Sequence, residues 1–230
     1  MSTFLELSKK AARDSGVISG TNPATVTGQT GDNLRIVNAV IEAWKNIQNR
    51  QDGWLWMKKY FDDKATIAST ARYTAASWSI TDHAAWIVDS REPPQLYLTA
   101  TGVSDEGPLR WIPWAEYVRK YVRGEQDENR PGEYSISPAG EFCLGQIPDA
   151  VYSVSGIYRQ ETVILAANED TPGMPTRFHD LIAHEAVMIF NGLDEALTAF
   201  ADAKRKADAM WPLLVRDQLE KITFAGGPIA

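Results

Sequence analysis

The chain has 230 residues, of which 44% are hydrophobic and 23% charged, a composition typical of a globular protein that folds without metals or disulfides. Its net charge of −7 argues against sequence-independent binding to nucleic-acid phosphates by the chain as a whole. The single cysteine, Cys143, excludes an intrachain disulfide and favours a reducing compartment. No signal peptide or membrane-spanning apolar run is recognisable, so we expect a protein made and used in a cytoplasm.

The first fifty residues carry helical patterns. Residues 3–15 predict a helix that Ser2 or Thr3 caps, with Glu6 as the capping-box partner and Gly16 at its end. A loop rich in Gly and Thr, residues 16–30, leads to a second predicted helix over residues 32–51.

Two adjacent apolar stripes run along the second predicted helix. They cover about half of its circumference, which is wider than the ~100° stripe of a surface helix. We therefore expect this helix to contact partners on two sides, in the same chain or in a neighbouring subunit. The stripes comprise Leu34, Val37, Ile41 and Trp44, and Ile36, Val40, Ala43 and Ile47; Ile36, Val40 and Ile47 are the candidate subunit-interface residues.

The middle of the chain is rich in aromatic residues. All eight tyrosines lie between Tyr60 and Tyr158, and six of the eight tryptophans lie between Trp54 and Trp114. Aromatic residues favour strands, so we expect a small antiparallel sheet here. The predicted elements are strands over 54–67, 96–99 and 151–158, a hairpin of 134–136 with 141–144, and one short helix over 114–121.

Helical patterns return after the breaker TPGMP, residues 171–175. One helix is predicted over residues 176–190 and another from about Asp194, which we expect to break or kink near Trp211 because Pro212 follows. A last helical stretch is predicted over 213–221. The predicted class is α+β: mostly a helical bundle (1–53 and 171–223) with an inserted β-rich subdomain (54–170) and an extended C-terminal tail (224–230).

No group of residues has the spacing of a catalytic or metal site. His179 and His184 are five residues apart, which places them ~140° apart around a helix, so they cannot chelate one ion together. Cys143 lies within an apolar alternation, which is typical of a buried, inert thiol. We therefore expect no enzyme, no metal and no cofactor. A metal-dependent hydrolase built around His184 and Glu185 is the weaker alternative.

The tryptophan-rich middle permits a second interpretation. Trp111 and Trp114 flank Pro113, and exposed tryptophans stack well on sugars and peptides. These rings either form a carbohydrate- or peptide-binding site of an accessory protein, or they fill the core between the sheet and its helix.

Four segments, in this order, carry a resemblance to a known family. The chain resembles the head-to-tail adaptor, or head-completion, proteins of tailed bacteriophages, including the portal-bound tail accessory factors of short-tailed phages. The segments are FLELSKKAARDSGVISGTNPATVTGQTGDNLRIVNAVIEAWKNIQNR, LYLTATGVSDEGPLRWIPWAEY, ISPAGEFCLGQIPDAVYSVSGIYR and DTPGMPTRFHDLIAHEA.

The resemblance implies a structural virion protein at the head–tail junction, assembled in the bacterial cytoplasm. It implies a dodecameric ring under the portal protein, in contact with tail or nozzle proteins, that seals or extends the DNA channel without binding DNA specifically. No membrane is implied. By the same resemblance the chain from Pro212 onward is an arm that docks on the portal. The candidate contact residues of this arm are Trp211, Leu214, Leu219, Phe224 and Ile229.

Overall fold

A computed structural model of the chain describes residues 2–16, 22–124, 127–192 and 197–219. The chain forms two compact units, the first made of residues 1–57 and 162–230 and the second of residues 58–161. Residues 54–57 and 162–170, which we expected in the insertion, belong to the first unit.

Helices account for 42% of the structure and strands for 20%. The α+β class is therefore confirmed. The expectation of a mostly helical bundle is wrong, because the second unit, residues 58–161, is built around two sheets and makes up almost half of the chain.

The first helix, α1 (Phe4–Ser15), begins and ends as predicted. The backbone N–H of Glu6 donates to Oγ1 of Thr3 at 3.2 Å, and the backbone N–H of Thr3 donates to Oε2 of Glu6 at 2.9 Å. Two helix N-terminal donors are thereby satisfied. Gly16 ends the helix with φ at 69°, a left-handed conformation that glycine adopts without strain.

Three longer helices complete the first unit: α2 (Gly31–Asn49), α4 (His179–Asn191) and α5 (Leu197–Gln218). A short 3₁₀ turn, Thr176–Phe178, leads into α4. Helix α4 packs against α1, α2 and α5, so it forms the centre of this unit. Its apolar face is correspondingly buried, including Leu181, Ile182, Val187 and Phe190.

The segment around Trp54 departs from the prediction. The first strand begins only at Lys58, because Leu55–Met57 forms a 3₁₀ turn. The indole N–H of Trp54 donates to the carbonyl of Ile47 at 2.9 Å, and its ring stacks on Trp56 at 4.4 Å. Trp54 is therefore a core residue of the helical unit and not a strand residue.

The second unit contains nine described strands and one short helix. The helix, α3 (Trp114–Tyr117), continues into a π-helical turn over Val118–Val122. The strands are β1 (Lys58–Ala65), β2 (Arg72–Tyr73), β3 (His83–Trp86), β4 (Gln95–Leu98), β5 (Gly107–Pro108), β6 (Arg110–Trp111), β7 (Glu133–Ile136), β8 (Phe142–Gly145) and β9 (Tyr152–Gln160).

The larger sheet has the order β1-β9-β4-β5, with β3 also paired to β9. All its pairs are antiparallel, and Lys58 at the start of β1 lies opposite Arg159 near the end of β9. The first and last strands of the unit are therefore neighbours.

The smaller sheet has the order β2-β8-β7-β6. Its centre is the predicted hairpin of β7 and β8, which is confirmed, and β6 joins β7 in parallel at one edge. The core of this unit is largely aromatic: Trp78 contacts Phe61, Tyr73, Trp86 and Phe142 at ring-centroid distances of 5.0 to 5.7 Å.

Candidate docking surfaces

The three candidate subunit-interface residues lie inside the first unit. Ile36 and Val40 are 0% exposed and Ile47 is 1% exposed. Helix α2 packs against α1 and α4 of the same chain, so both of its apolar stripes are largely covered there. In this conformation Ile36, Val40 and Ile47 are therefore core residues that leave almost no surface for a second copy, and their assignment to a subunit interface stays a prediction.

Two residues of the predicted docking arm are also core residues. Leu214 is 0% exposed and Trp211 is 9% exposed, and both belong to the apolar core of the first unit. Leu219 packs partly against the same core. Trp211 and Leu214 are thus unavailable to a partner in this conformation. Phe224 and Ile229 lie outside the described residues.

Polar contacts hold α5 against the rest of the unit. The indole N–H of Trp211 donates to Oε1 of Glu185 on α4 at 2.6 Å. The guanidinium of Arg50 lies over the Trp211 ring at 3.9 Å, and Arg177 forms an ion pair with Asp217. Helix α5 runs without interruption through Pro212, so the break predicted near Trp211 is wrong, whereas the alternative of a kink there stays a prediction.

The histidines of α4 do not form a metal site. Nε2 of His179 lies 3.0 Å from the carbonyl oxygen of Met174, and Glu185 accepts its hydrogen bond from Trp211. His184 is buried, and this burial, with the nearby Lys10 and Lys206, lowers the pKa of its imidazole. Within residues 2–16, 22–124, 127–192 and 197–219, no group of three His, Cys, Asp or Glu side chains is arranged to hold an ion.

Cys143 is an inert thiol in this fold. It is fully buried in β8, and burial raises the pKa of its thiol to about 11. The reactive form is the thiolate, so a thiol that stays protonated near neutral pH is a poor nucleophile.

Each residue of the basic run on α5, residues 204–206, pairs with an aspartate of its own helix. Lys204 pairs with Asp208 at 2.9 Å, while Arg205 and Lys206 pair with Asp202 at 2.7 and 2.6 Å. Pairs with this helical spacing are typical of a solvated surface and offer little unbalanced charge to a phosphate backbone.

The two tryptophans that flank Pro113 have different surroundings. Trp114 packs on Tyr117 at 5.3 Å and lies under Arg72, so it is part of the unit's own packing. Trp111 is 45% exposed and lines an open groove of about 370 Å³. The groove is lined by Val88, Asp89, Ser90, Pro93, Pro108, Leu109, Arg110, Trp111 and Tyr134.

The surface of this groove is predominantly apolar, and its charges are already paired. Arg91 binds the Asp89 carboxylate through Nε at 3.0 Å and Nη2 at 2.6 Å, which lowers the pKa of Asp89 to about 2. Arg110 forms an ion pair with Glu133. Burial raises the pKa of Tyr134, at the base of the groove, to about 12. The groove therefore favours an apolar ligand over an ion.

The backbone of β6 runs along one wall of the groove. Arg110 N–H donates to the carbonyl of Gly132 at 3.0 Å, and Ile112 N–H donates to that of Tyr134 at 2.9 Å. Successive backbone groups of a strand point to opposite edges, so the N–H and C=O of Trp111 point away from β7, at the outer edge of the sheet. The sequence indicated Trp111 but not the opposite wall, residues 88–93, which is distant along the chain.

Comparisons with known proteins give the family. A model of the SU10 adaptor protein family matches residues 2–224, which is nearly the whole chain. A search of curated proteins found no match. In the described part of the chain, every helix is too short or too polar to cross a lipid bilayer. On this match the chain belongs to the SU10 adaptor protein family, a family of structural adaptor proteins of bacteriophages.

Proposed function

We propose that this phage adaptor forms a ring beneath the portal protein and links the capsid to the tail. The ring would be dodecameric to match the portal, would contact tail or nozzle proteins on its other side, and would seal or extend the DNA channel. The family match over residues 2–224 is the observation that carries this proposal.

The placement of the chemically capable residues supports a structural role. Glu185 and Cys143 are engaged in intrachain contacts or buried, and His184 is held in the core. The polar groups singled out from the sequence therefore contribute to packing. Such packing stabilises the fold, which suits a virion component that must stay assembled. An adaptor acts through its contact surfaces and needs no reactive cleft.

The arm that we propose to dock on the portal is the segment after α5. Phe224 and Ile229 are its apolar contact residues. Trp211, Leu214 and Leu219 instead attach the base of the arm to the helical unit. This division gives the arm a fixed origin and leaves the apolar residues of the terminal segment for a partner.

The charge of the chain suits passage of DNA without retention. The net charge is −7, and the basic run on α5 is paired with Asp202 and Asp208. A surface of this kind offers few cations whose binding to phosphate would release counterions. We therefore propose that DNA passes this protein without specific binding.

Electron microscopy of the purified protein with its portal tests the proposal. Closed rings on the portal are expected. The double variant Phe224→Asp with Ile229→Asp should lose portal binding while its unfolding curve stays unchanged. Leu213→Asp is the matched control, since Leu213 is an exposed apolar residue of α5 and precedes the segment after that helix. Absence of any portal complex for the unaltered chain would refute the proposal.

A second candidate function rests on the groove beside Trp111. An exposed indole beside two prolines is a suitable surface for a sugar ring or a peptide. This favours the interpretation as a carbohydrate- or peptide-binding accessory protein. Titration of the protein with capsid or cell-wall glycans, followed by tryptophan fluorescence, tests the carbohydrate version; an unchanged spectrum with each glycan removes it.

A further inference from the structure

We propose that the groove beside β6 binds a short, extended and uncharged peptide segment of another virion protein, which joins the sheet as an added β-strand. The inference rests on the peptide version of the second candidate function above and deepens it by stating how the peptide is recognised. The source of the segment is a head or tail protein, the class of molecule that a phage adaptor contacts.

The groove lies where a strand pairing stops early. Strands β4 and β5 are antiparallel, and the last bond between their segments runs from the N–H of Leu109 to the carbonyl of Pro94 at 2.8 Å. Pro93 and Pro94 have no N–H to donate, so the chain before β4 cannot extend the ladder. The N–H of Glu92 donates instead to the carbonyl of Asp89 at 3.2 Å. This wall therefore leaves the ladder, and the groove opens between it and β6.

The backbone of Trp111 faces this opening. Leu109 and Trp111 are two residues apart on one extended segment, so their backbone groups point to the same edge. The N–H of Arg110, between them, donates to the carbonyl of Gly132 at the opposite edge. No residue that the structure describes bonds to the outward N–H and C=O of Trp111. An extended peptide in the groove would supply the missing partners and continue the ladder through main-chain hydrogen bonds.

The charges of the groove select an uncharged peptide. Both charged side chains that line it are engaged, since Asp89 accepts two bonds from Arg91 and Arg110 pairs with Glu133. A charged side chain of a ligand would lose its hydration here without gaining a partner. The Trp111 ring, with 45% of its residue surface exposed, offers contact to the apolar side chains that a strand presents at every second position.

The same features favour a peptide over a sugar. A sugar ring can stack on the Trp111 indole, but its hydroxyl groups need polar partners, and the carboxylate and guanidinium of the groove are already bonded. A peptide instead presents backbone donors and acceptors that match the free edge. Strand β6 has only two residues, so this pairing is short, and contact with the indole must add to it.

Fluorescence anisotropy of labelled peptides with the full-length chain tests strand addition. The probe is the end-blocked heptapeptide Ser-Thr-Val-Thr-Ile-Thr-Ser, which is uncharged and alternates polar and apolar side chains. Two further probes carry backbone N-methyl groups, one on the threonines and the other on the valine and isoleucine. Only alternate N–H groups of an added strand face β6, so the affinities of the two methylated probes should differ by at least about tenfold.

The outcomes separate this inference from the candidate function on which it rests. Equal affinities of the two methylated probes overturn strand addition but leave the peptide version of that function standing. Absence of binding by all three probes overturns both. A tryptophan fluorescence response to a glycan, with none to any probe, assigns the groove to a sugar and also overturns the inference.

The variant Trp111→Ala locates the binding in the groove. It should bind the unmethylated probe roughly tenfold more weakly, which is the effect of losing a central aromatic contact. Ile67→Ala is the control, since Ile67 is an apolar residue with 65% exposure that does not line the groove, and it should bind as the unaltered chain does. Equal affinity of Trp111→Ala and the unaltered chain overturns the inference.

Sedimentation without any probe tests a second copy of the chain as the occupant. Trp111→Ala and the unaltered chain should show the same self-association. A self-association that is lost in Trp111→Ala would place another copy in the groove and overturn the assignment to a different protein. Portal binding is measured separately, and its absence in the unaltered chain would refute only the proposed ring.

Discussion

The indole N–H of Trp211 donates to the carboxylate of Glu185 at 2.6 Å, and the same indole ring lies beneath the guanidinium of Arg50. One side chain of α5 thus contacts a residue of α4 and the residue that follows α2. This contact is next to Pro212, where a helix interior loses ~3 kcal/mol relative to alanine. Packing of Trp211 and Leu214 offsets that loss and keeps the helix continuous.

Trp211→Phe is expected to lower the free energy of unfolding by ~1–3 kcal/mol. The substitution keeps an apolar ring but removes the indole donor to Glu185, whose carboxylate is mostly shielded from solvent and then keeps only the longer contact with Arg50, at 4.0 Å. Urea denaturation measures the change. Leu213→Ala, on the exposed side of the same helix, should change the free energy by less than ~0.5 kcal/mol. Similar losses for both variants would contradict the role of this hydrogen bond.

Val40→Ala distinguishes a core position from a subunit interface. Val40 is fully buried by its own chain, so the variant should lose ~1–3 kcal/mol of unfolding free energy at every protein concentration. Leu34→Ala on the exposed side of α2 is the control and should have little effect. A loss that appears only at low protein concentration would instead return Val40 to an interface.

His184 is expected to make the fold sensitive to mild acid. Its pKa is lowered below 6.5 by burial first and then by Lys10 and Lys206, with Asp180 and Asp14 opposing them. His184 therefore binds a proton more readily in the unfolded chain than in the folded one. The contribution of the neutral, buried His184 to the free energy of unfolding is complete above about pH 6.5 and is lost as the pH falls. The unfolding free energies of the unaltered chain and of His184→Gln, compared from neutral pH to about pH 5, should converge. Parallel plots of unfolding free energy against pH for the two proteins would show that His184 is not the source of the acid sensitivity.

Cys143 is expected to be unreactive until the second unit unfolds. Its pKa of about 11 exceeds the ordinary value of 9.0 because the thiol is buried. Because the pKa is higher in the folded state, the protonated thiol contributes to the free energy of unfolding below pH 9. This contribution is lost as the pH rises toward 11. A disulfide reagent at pH 8 should modify Cys143 only after denaturant is added. Between pH 9 and 11, Cys143→Ala should lose less of its free energy of unfolding than the unaltered chain does. Rapid labelling of Cys143 in the native protein would contradict its burial.

Local sequence signals predicted the elements whose determinants are local. The Thr3–Glu6 capping box and the β7–β8 hairpin lie within a few residues of their partners, and both formed as expected. The apolar stripes of α2 were also recognised. Whether they are covered by α4 or by another subunit is decided by tertiary packing, which a pattern along one helix does not contain.

The errors have the same physical origin. Trp54 has the side-chain spacing of a strand residue, but its indole is bound to the carbonyl of Ile47 at the end of α2. The sequence predicted only the wall of the groove that contains Trp111. The two walls, residues 88–93 and 108–111, are brought together by the pairing of β4 with β5. Contacts between segments distant along the chain determined both outcomes.

Lys58 lies opposite Arg159 in an antiparallel pair, so the chain enters and leaves the second unit at neighbouring points, with Cα atoms ~5 Å apart. A tight turn is enough to span that distance. We therefore expect that residues 58–161 can be exchanged or deleted without rerouting the helices of the first unit.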